Sequence, residues 1–342
     1  MTFQVNFARA WAKLVAPACL LLLCCNVVTA AINPPPAGQE ASYEWYVAQH
    51  PDPVIFTPIG PPGDPAEIGV SPRGQLMQGK LAYSEEDGTI GGTPFVTNSL
   101  TFGLLEHGCL VPIGSGIPAK QSLWEGRFPI VFTDWQHGDF AFHQTAFARP
   151  LRGESYTTGL EATIAWALFD ITNTSKETKE LAFVASWTAD EKELQRKMSF
   201  RDEVVFEKDS AVFTAKAPKG FEMWFEPVLI PQTNTTVGLS GLELLRNGGA
   251  YNALVMRGRC KPGQTVHMAV GCVFQFPGTR HWGPSPVKVA AEKLTKLRPE
   301  RELAKAKETW LALAGKLNCF ETPDPMLNRI VAKAMLDGYF LT

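Results

Sequence analysis

From residue 74 to about residue 276 the sequence never settles into a helical period. Short apolar or alternating runs recur instead, at 97–105, 128–132, 140–148, 162–171, 181–187, 203–206, 211–215, 223–228, 251–257 and 266–276. Aromatic and β-branched residues dominate these runs, and Gly, Asn, Asp or Pro separates them, the pattern of antiparallel strands joined by turns. So many strands in succession bury their apolar sides only if two sheets pack face to face. The fold class expected is therefore mainly β: a large antiparallel two-sheet sandwich spanning residues 74–285.

On either side of this stretch the pattern changes. Residues 31–73 contain Pro34-Pro35-Pro36 and Pro61-Pro62-Gly63 and show no sustained period, which predicts an extended arm. Residues 286–321 predict a helical linker: 287–297 and 301–317 are rich in Ala, Leu, Lys and Glu. Pro299 stands at the start of the second helix, where a missing N–H does no harm. A third helix is expected within 322–342, capped by Asp324 and opened by Pro325. Leu327, Ile330, Val331, Ala334 and Met335 give it one apolar face. That face needs a partner surface, so the expectation is a longer protein whose next domain covers it. The other solution is a helix folded back on the sandwich.

Residues 1–30 have the layout of a secretory leader. Arg9 and Lys13 precede an apolar stretch from Leu14 through Leu23, and Val28-Thr29-Ala30 precedes Ala31, the expected first residue of the mature chain. A membrane span needs about 20 apolar residues, and this run is shorter and broken by Pro17, Cys24, Cys25 and Asn26. The reading is a secreted or periplasmic protein with no stable membrane span once the leader is removed. Cys109, Cys260, Cys272 and Cys319 then remain, too few for a disulfide scaffold. Cys260 and Cys272 flank a Lys261-Pro262-Gly263-Gln264 turn, so either one cross-strand bridge or buried free thiols is expected, and spacing alone does not decide between them. With 32 basic and 34 acidic residues the chain lacks the basic excess of a nucleic-acid binder.

The densest polar and aromatic cluster is Thr133-Asp134-Trp135-Gln136-His137-Gly138-Asp139, followed by His143. As a loop at a strand end, Asp134, Trp135 and His137 would suit a sugar, the indole taking its apolar face and the polar groups its hydroxyls. Alternatively Trp135 anchors the core and its neighbours cap a turn. Spacing gives His137, Asp139 and His143 no metal signature, and no metal or other cofactor is expected. Glycoside hydrolysis needs two carboxylates at a controlled separation. The acidic runs Glu85-Glu86-Asp87 and Asp190-Glu191-Glu193 look like solvated loops, and no pair stands out, so no catalytic residue is assigned. There is no phosphate loop, dinucleotide fingerprint or nucleophile elbow. Asn173-Thr174-Ser175 and Asn234-Thr235-Thr236 are formal glycosylation sequons.

The sequence resembles the six-hairpin glycosidases, which have an N-terminal β-super-sandwich, a helical linker and an (α/α)6 catalytic barrel, as in glucoamylase-like hydrolases and disaccharide phosphorylases. The resemblance rests on 165–187, where Asp170-Ile171-Thr172-Asn173-Thr174-Ser175 joins two apolar strands in what looks like a hairpin. It rests also on Trp310-Leu311-Ala312-Leu313 followed by Phe320-Glu321-Thr322-Pro323-Asp324-Pro325, and on the order sandwich, linker, helix. It implies that residues 322–342 begin the barrel, and that the catalytic acid and base lie beyond residue 342. The chain itself would then be inactive, its partners being a carbohydrate substrate and the barrel. The competing expectation is a free-standing carbohydrate-binding or structural β-sandwich.

Overall fold

Two eight-stranded sheets dominate the computed structural model. It describes residues 57–61, 68–80, 95–151, 162–189, 198–207, 210–230, 249–274 and 291–316, all within one compact unit, Asp52–Thr342. The leader, most of the 31–73 arm, both acidic runs, Asn234, Cys319 and the helix expected in 322–342 lie outside the described residues.

The first sheet runs in the order β1 (Thr57–Pro58), β2 (Ile68–Val70), β3 (Leu76–Lys80), β4 (Phe95–Glu106), β10 (Lys179–Ala189), β15 (Gly249–Cys260), β14 (Glu222–Ile230) and β5 (Cys109–Pro112). The second runs β11 (Met198–Arg201), β12 (Val204–Glu207), β13 (Ser210–Lys216), β16 (Thr265–Phe274), β9 (Thr163–Asn173), β8 (Phe140–Pro150), β7 (Phe128–His137) and β6 (Lys120–Trp124). Every run read as a strand from sequence is one. β1 and β2 arise from residues assigned to the extended arm, so the sandwich begins before residue 74.

Alternating side chains fill the space between the sheets. Leu100, Phe102, Leu181, Phe183, Leu254 and Met256 from the first meet Val131, Phe142, Ala167, Phe169, Val270 and Phe274 from the second, all buried. The centre is aromatic: Phe169 lies 4.9 Å from Phe102 and 4.6 Å from Phe183 between ring centroids, within the range where such pairs add to area burial. The turn 71–75 reaches into this interior and is satisfied there. Gln144 Nε2 donates to Gly74 O and Gln121 Nε2 to Ser71 O, both at 2.7 Å, while on the other face of the first sheet Gln75 Nε2 donates to Thr101 Oγ1 at 2.8 Å. Gly74 has φ +71°, and a Cβ there would stand 2.3 Å from Gln144 Oε1, so the turn requires glycine.

The first sheet also curls. β5 pairs with the end of β4 and, in parallel through Cys109 and Leu229, with β14, so β4, β10, β15, β14 and β5 close a ring. The face away from the main core carries Thr101, Gly103, Ala182, Val184, Ser186, Ala253 and Val255, with Leu105 of β4 opposite the fully buried Leu110 of β5.

Two connections cross between the sheets at one end. The expected 165–187 hairpin is corrected here: β9 and β10 belong to opposite sheets, and the turn between them is an inter-sheet corner. The β15–β16 turn is another. Asn173 stitches the two together, its N–H donating to Gln264 O (3.0 Å) and its Nδ2 to Cys260 O (2.8 Å) and Glu177 O (2.7 Å). Fully buried with its amide engaged, Asn173 is not an available glycan acceptor. The open question of a Cys260–Cys272 bridge is answered for the same topological reason. Cys260 pairs with Lys179 in the first sheet and Cys272 with Phe213 and Ala165 in the second, and both are free thiols.

Helices α1 (Ala291–Lys296) and α2 (Pro299–Ala314) match the two linker helices read from sequence. None of the described helices is long and apolar enough to cross a membrane. Both lie on the outer face of the second sheet, where Leu294, Ala306 and partly buried Leu303 join Ile130, Phe147, Ile164, Trp166 and Val273 in a second core. Trp310 closes over Phe128 in a third.

The thiols test this packing. Burial pushes the Cys272 thiol well above its usual range and raises that of Cys260, the latter against a backbone hydrogen bond from Asn173. Reactivity belongs to the thiolate, so site-resolved alkylation of native protein near pH 8 should label half-buried Cys109 first and Cys272 only on unfolding. Labelling of Cys272 as fast as Cys109 would contradict the closed sandwich.

Candidate functional site

The period of a strand decides what becomes of Asp134, Trp135 and His137. They lie within β7 rather than in a loop, so alternate residues face opposite sides. The expected single cluster is therefore corrected: Asp134 and Gln136 face outward, Trp135 and His137 inward. Trp135 is 4% exposed and stacks 5.2 Å from His137 and 5.0 Å from Phe142. It is a core residue, not a rim residue, and its Nε1 has no hydrogen-bond partner among the described residues. His137 Nε2 reaches Glu106 Oε1 at 2.9 Å, tying the second sheet to the first at the sandwich end. Asp139, across the β7–β8 turn, pairs instead with Lys179 at 3.1 Å.

The outward side of the same strand belongs to a different arrangement. Register places Lys120, Asp134, His143, Asp170 and His267 opposite one another on the consecutive strands β6, β7, β8, β9 and β16. His143 Nδ1 and Asp134 Oδ1 are 2.7 Å apart, His267 Nδ1 and Asp170 Oδ1 2.6 Å. With neighbouring strands about 4.8 Å apart, the row is about 19 Å long. Its side chains are solvent-accessible, from 42% for His143 to 74% for His267. Each aspartate keeps Oδ2, and each imidazole Nε2, without a hydrogen-bond partner among the described residues.

Two rows flank it on the same face. Toward the sandwich end stand Gln136, Ala141, Thr172 and Thr265, the two threonine hydroxyls 2.8 Å apart. Toward the helices stand Ser122, Phe132, Thr145, Leu168 and Ala269. Phe132 and Leu168 pack half-buried against the core beneath α1 and α2, and the Phe132 ring stacks 5.3 Å from the His143 imidazole. Among the described residues no group of three or more His, Cys, Asp or Glu side chains could hold a metal ion. The row therefore offers hydrogen-bond donors and acceptors beside a narrow apolar strip.

Beyond the strip the outer face is sealed. Arg149 Nε lies 3.4 Å from Glu302 Oε2, with side chains only 5% and 10% exposed, and Arg149 Nη1 donates to Thr309 Oγ1 at 3.2 Å. Lys305 also reaches Glu302, at 3.2 Å. Lys216, paired with Glu203, donates to Thr295 O at 3.3 Å beside the C-terminal end of α1, where a cation suits the exposed carbonyls. Of these residues, sequence reading singled out Asp134 and noted His143. Asp170 and His267 carry no local signal, because only register brings them into line.

Removing one partner of a buried ion pair leaves the other uncompensated. Arg149→Ala should thus destabilise the protein by about 3–5 kcal/mol, while Arg149→Met combined with Glu302→Leu should recover most of that in denaturant titrations. Equal losses in the single and double variants would remove the pair as the fastener of α2. Trp135→Ala should cost about 3–5 kcal/mol as a core truncation. An unchanged melting temperature would contradict the inward placement of its ring.

No family model matches this chain, and no curated protein matches it. Among solved structures, a heparan sulfate lyase from Pedobacter heparinus matches with a TM-score of 0.25 and 10% identity, over 52% of this chain and 24% of its own. A family GH92 α-mannosidase from Bacteroides thetaiotaomicron matches with a TM-score of 0.31 and 10% identity, over 82% of this chain and 38% of its own. The same mannosidase in complex with mannoimidazole gives 0.31 and 10%, over 82% and 37%. The chain thus spans between about a quarter and two-fifths of the length of the solved structures it matches. Likenesses this weak carry no argument about its function.

Proposed function

We propose that this chain is the non-catalytic front part of a secreted or periplasmic glycoside hydrolase acting on oligo- or polysaccharide. The β-sandwich supports a catalytic barrel encoded downstream. The observation that carries this reading is the way the linker is fixed. α1 and α2 follow the last strand and bury their inner sides on the second sheet through Leu294, Ala306 and Trp310. The buried Arg149–Glu302 pair fixes α2 in register on that sheet. A linker held this rigidly gives whatever follows a defined starting point and direction, as a scaffold for another domain requires. The order of sandwich, linker and helix, with the motifs quoted above, supplies the chemical class.

The test is the protein encoded by the reading frame continued past Thr342. It should hydrolyse glycosides and lose that activity when a single downstream carboxylate is replaced, whereas residues 31–342 alone should turn over nothing. Turnover by residues 31–342 that disappears on one Asp or Glu substitution within them would overturn the proposal.

A further inference from the structure

We infer that the outward row Lys120, Asp134, His143, Asp170 and His267 is a binding surface for a neutral oligosaccharide chain. For its ligand class this inference rests on the glycoside reading above. The row crosses five strands without interruption, which suits an extended polymer rather than a single small molecule.

Its chemistry narrows the occupant. Acidic and basic or titratable groups alternate along it, so no single-sign field exists to attract a polyanion or a polycation. Large exposed apolar side chains, the usual anchors of a protein partner, are missing from this face: among the described residues only Ile117 and Leu311 qualify, and neither lies on it. What remains is a line of unused carboxylate oxygens and imidazole nitrogens, oriented by the Asp134–His143 and Asp170–His267 hydrogen bonds. Beside it runs the half-buried strip of Phe132 and Leu168. A sugar ring has the matching division, with hydroxyls at its edge and C–H groups on its face. Carboxylates accept strong hydrogen bonds from hydroxyl groups, and the Phe132 and His143 rings stack into one platform for the C–H side. The imidazole–carboxylate bonds hold the side chains in place before binding, which lowers the entropy lost on association.

Cross-strand pairs of this kind also stabilise a sheet without any ligand, and the experiment separates the two roles. The full-length protein is titrated by calorimetry with maltohexaose, cellohexaose, mannohexaose and xylohexaose. At least one should bind. The Asp134→Asn, Asp170→Asn double variant should bind it at least about tenfold more weakly, having lost charge-assisted acceptors at two points. Its far-UV spectrum should be unchanged, and Lys296→Ala, on α1, should bind normally. Failure of all four sugars to bind, or binding that survives the double substitution, would overturn the inference. Hydrolysis of a short aryl glycoside, measured in parallel, isolates the proposed function. Activity without binding at the row leaves that function standing and removes the inference. Binding at the row without activity makes the chain a free-standing carbohydrate-binding sandwich, so that the row stands and the hydrolase reading falls.

Discussion

The second sheet buries the inner face of its central strands, but among the described residues its outer face is covered only where α1 and α2 lie, and that boundary governs the rest of the molecule. On the covered side the outward positions are Phe128, Ile130, Phe147, Ile164, Trp166 and Val273, so the strands read as continuous apolar runs. Packing there is close: a Cβ on Gly271, directly opposite Trp166, would meet the indole at 2.7 Å. Past the boundary the same strands turn to strict alternation, and the outward positions become Asp134, His143, Asp170 and His267. One strand thus changes from a two-sided core element to a one-sided surface element within a few residues, because its cover ends.

Some of the polar groups that enter covered regions are paired in ways that fix position. The 71–75 turn places carbonyls among the apolar side chains, and Gln121 and Gln144 answer them. Arg149 and Glu302 meet beneath α2. A buried ion pair adds little net stability over well-packed apolar residues, but breaking it is expensive. Its effect is discrimination: α2 displaced by one turn along the sheet would leave both charges buried and unpaired. Neither feature is easily replaced one residue at a time.

The strands that sequence reading found are apolar or alternating runs with a buried side, from the short 203–206 to the long 140–148. The ones it missed are short or at edges: Thr57–Pro58 is two residues, and Lys120–Trp124 and Met198–Arg201 alternate between exposed and half-buried positions without a fully buried side. The helices were legible from composition and from Pro299. Sheet membership was not, since a turn that returns to the same sheet and one that crosses to the other share a vocabulary of Asn, Thr, Ser, Pro and Gly. That is why 165–187 reads as a hairpin and Cys260 and Cys272 as neighbours. The polar cluster at Asp134 was visible, but treating it as a loop merged two faces that a strand separates. Residues such as Asp170 and His267, 97 positions apart, align only through register.

The interleaving of the two sheets bears on how the chain reaches its folded state. β1 to β5 enter the first sheet, β6 to β9 the second, β10 returns to the first, β11 to β13 go to the second, and β14 and β15 return before β16 enters the second. No contiguous segment makes either sheet by itself. β15 sits between β10 and β14, and β16 between β9 and β13, so each sheet receives a central strand late among the described strands. A nascent chain therefore leaves the ribosome as two incomplete sheets with open central edges until residue 274 has emerged. Contacts so distant in sequence make folding slow. Through that interval the exposed edges are the chain's main hazard for mispairing with a second copy.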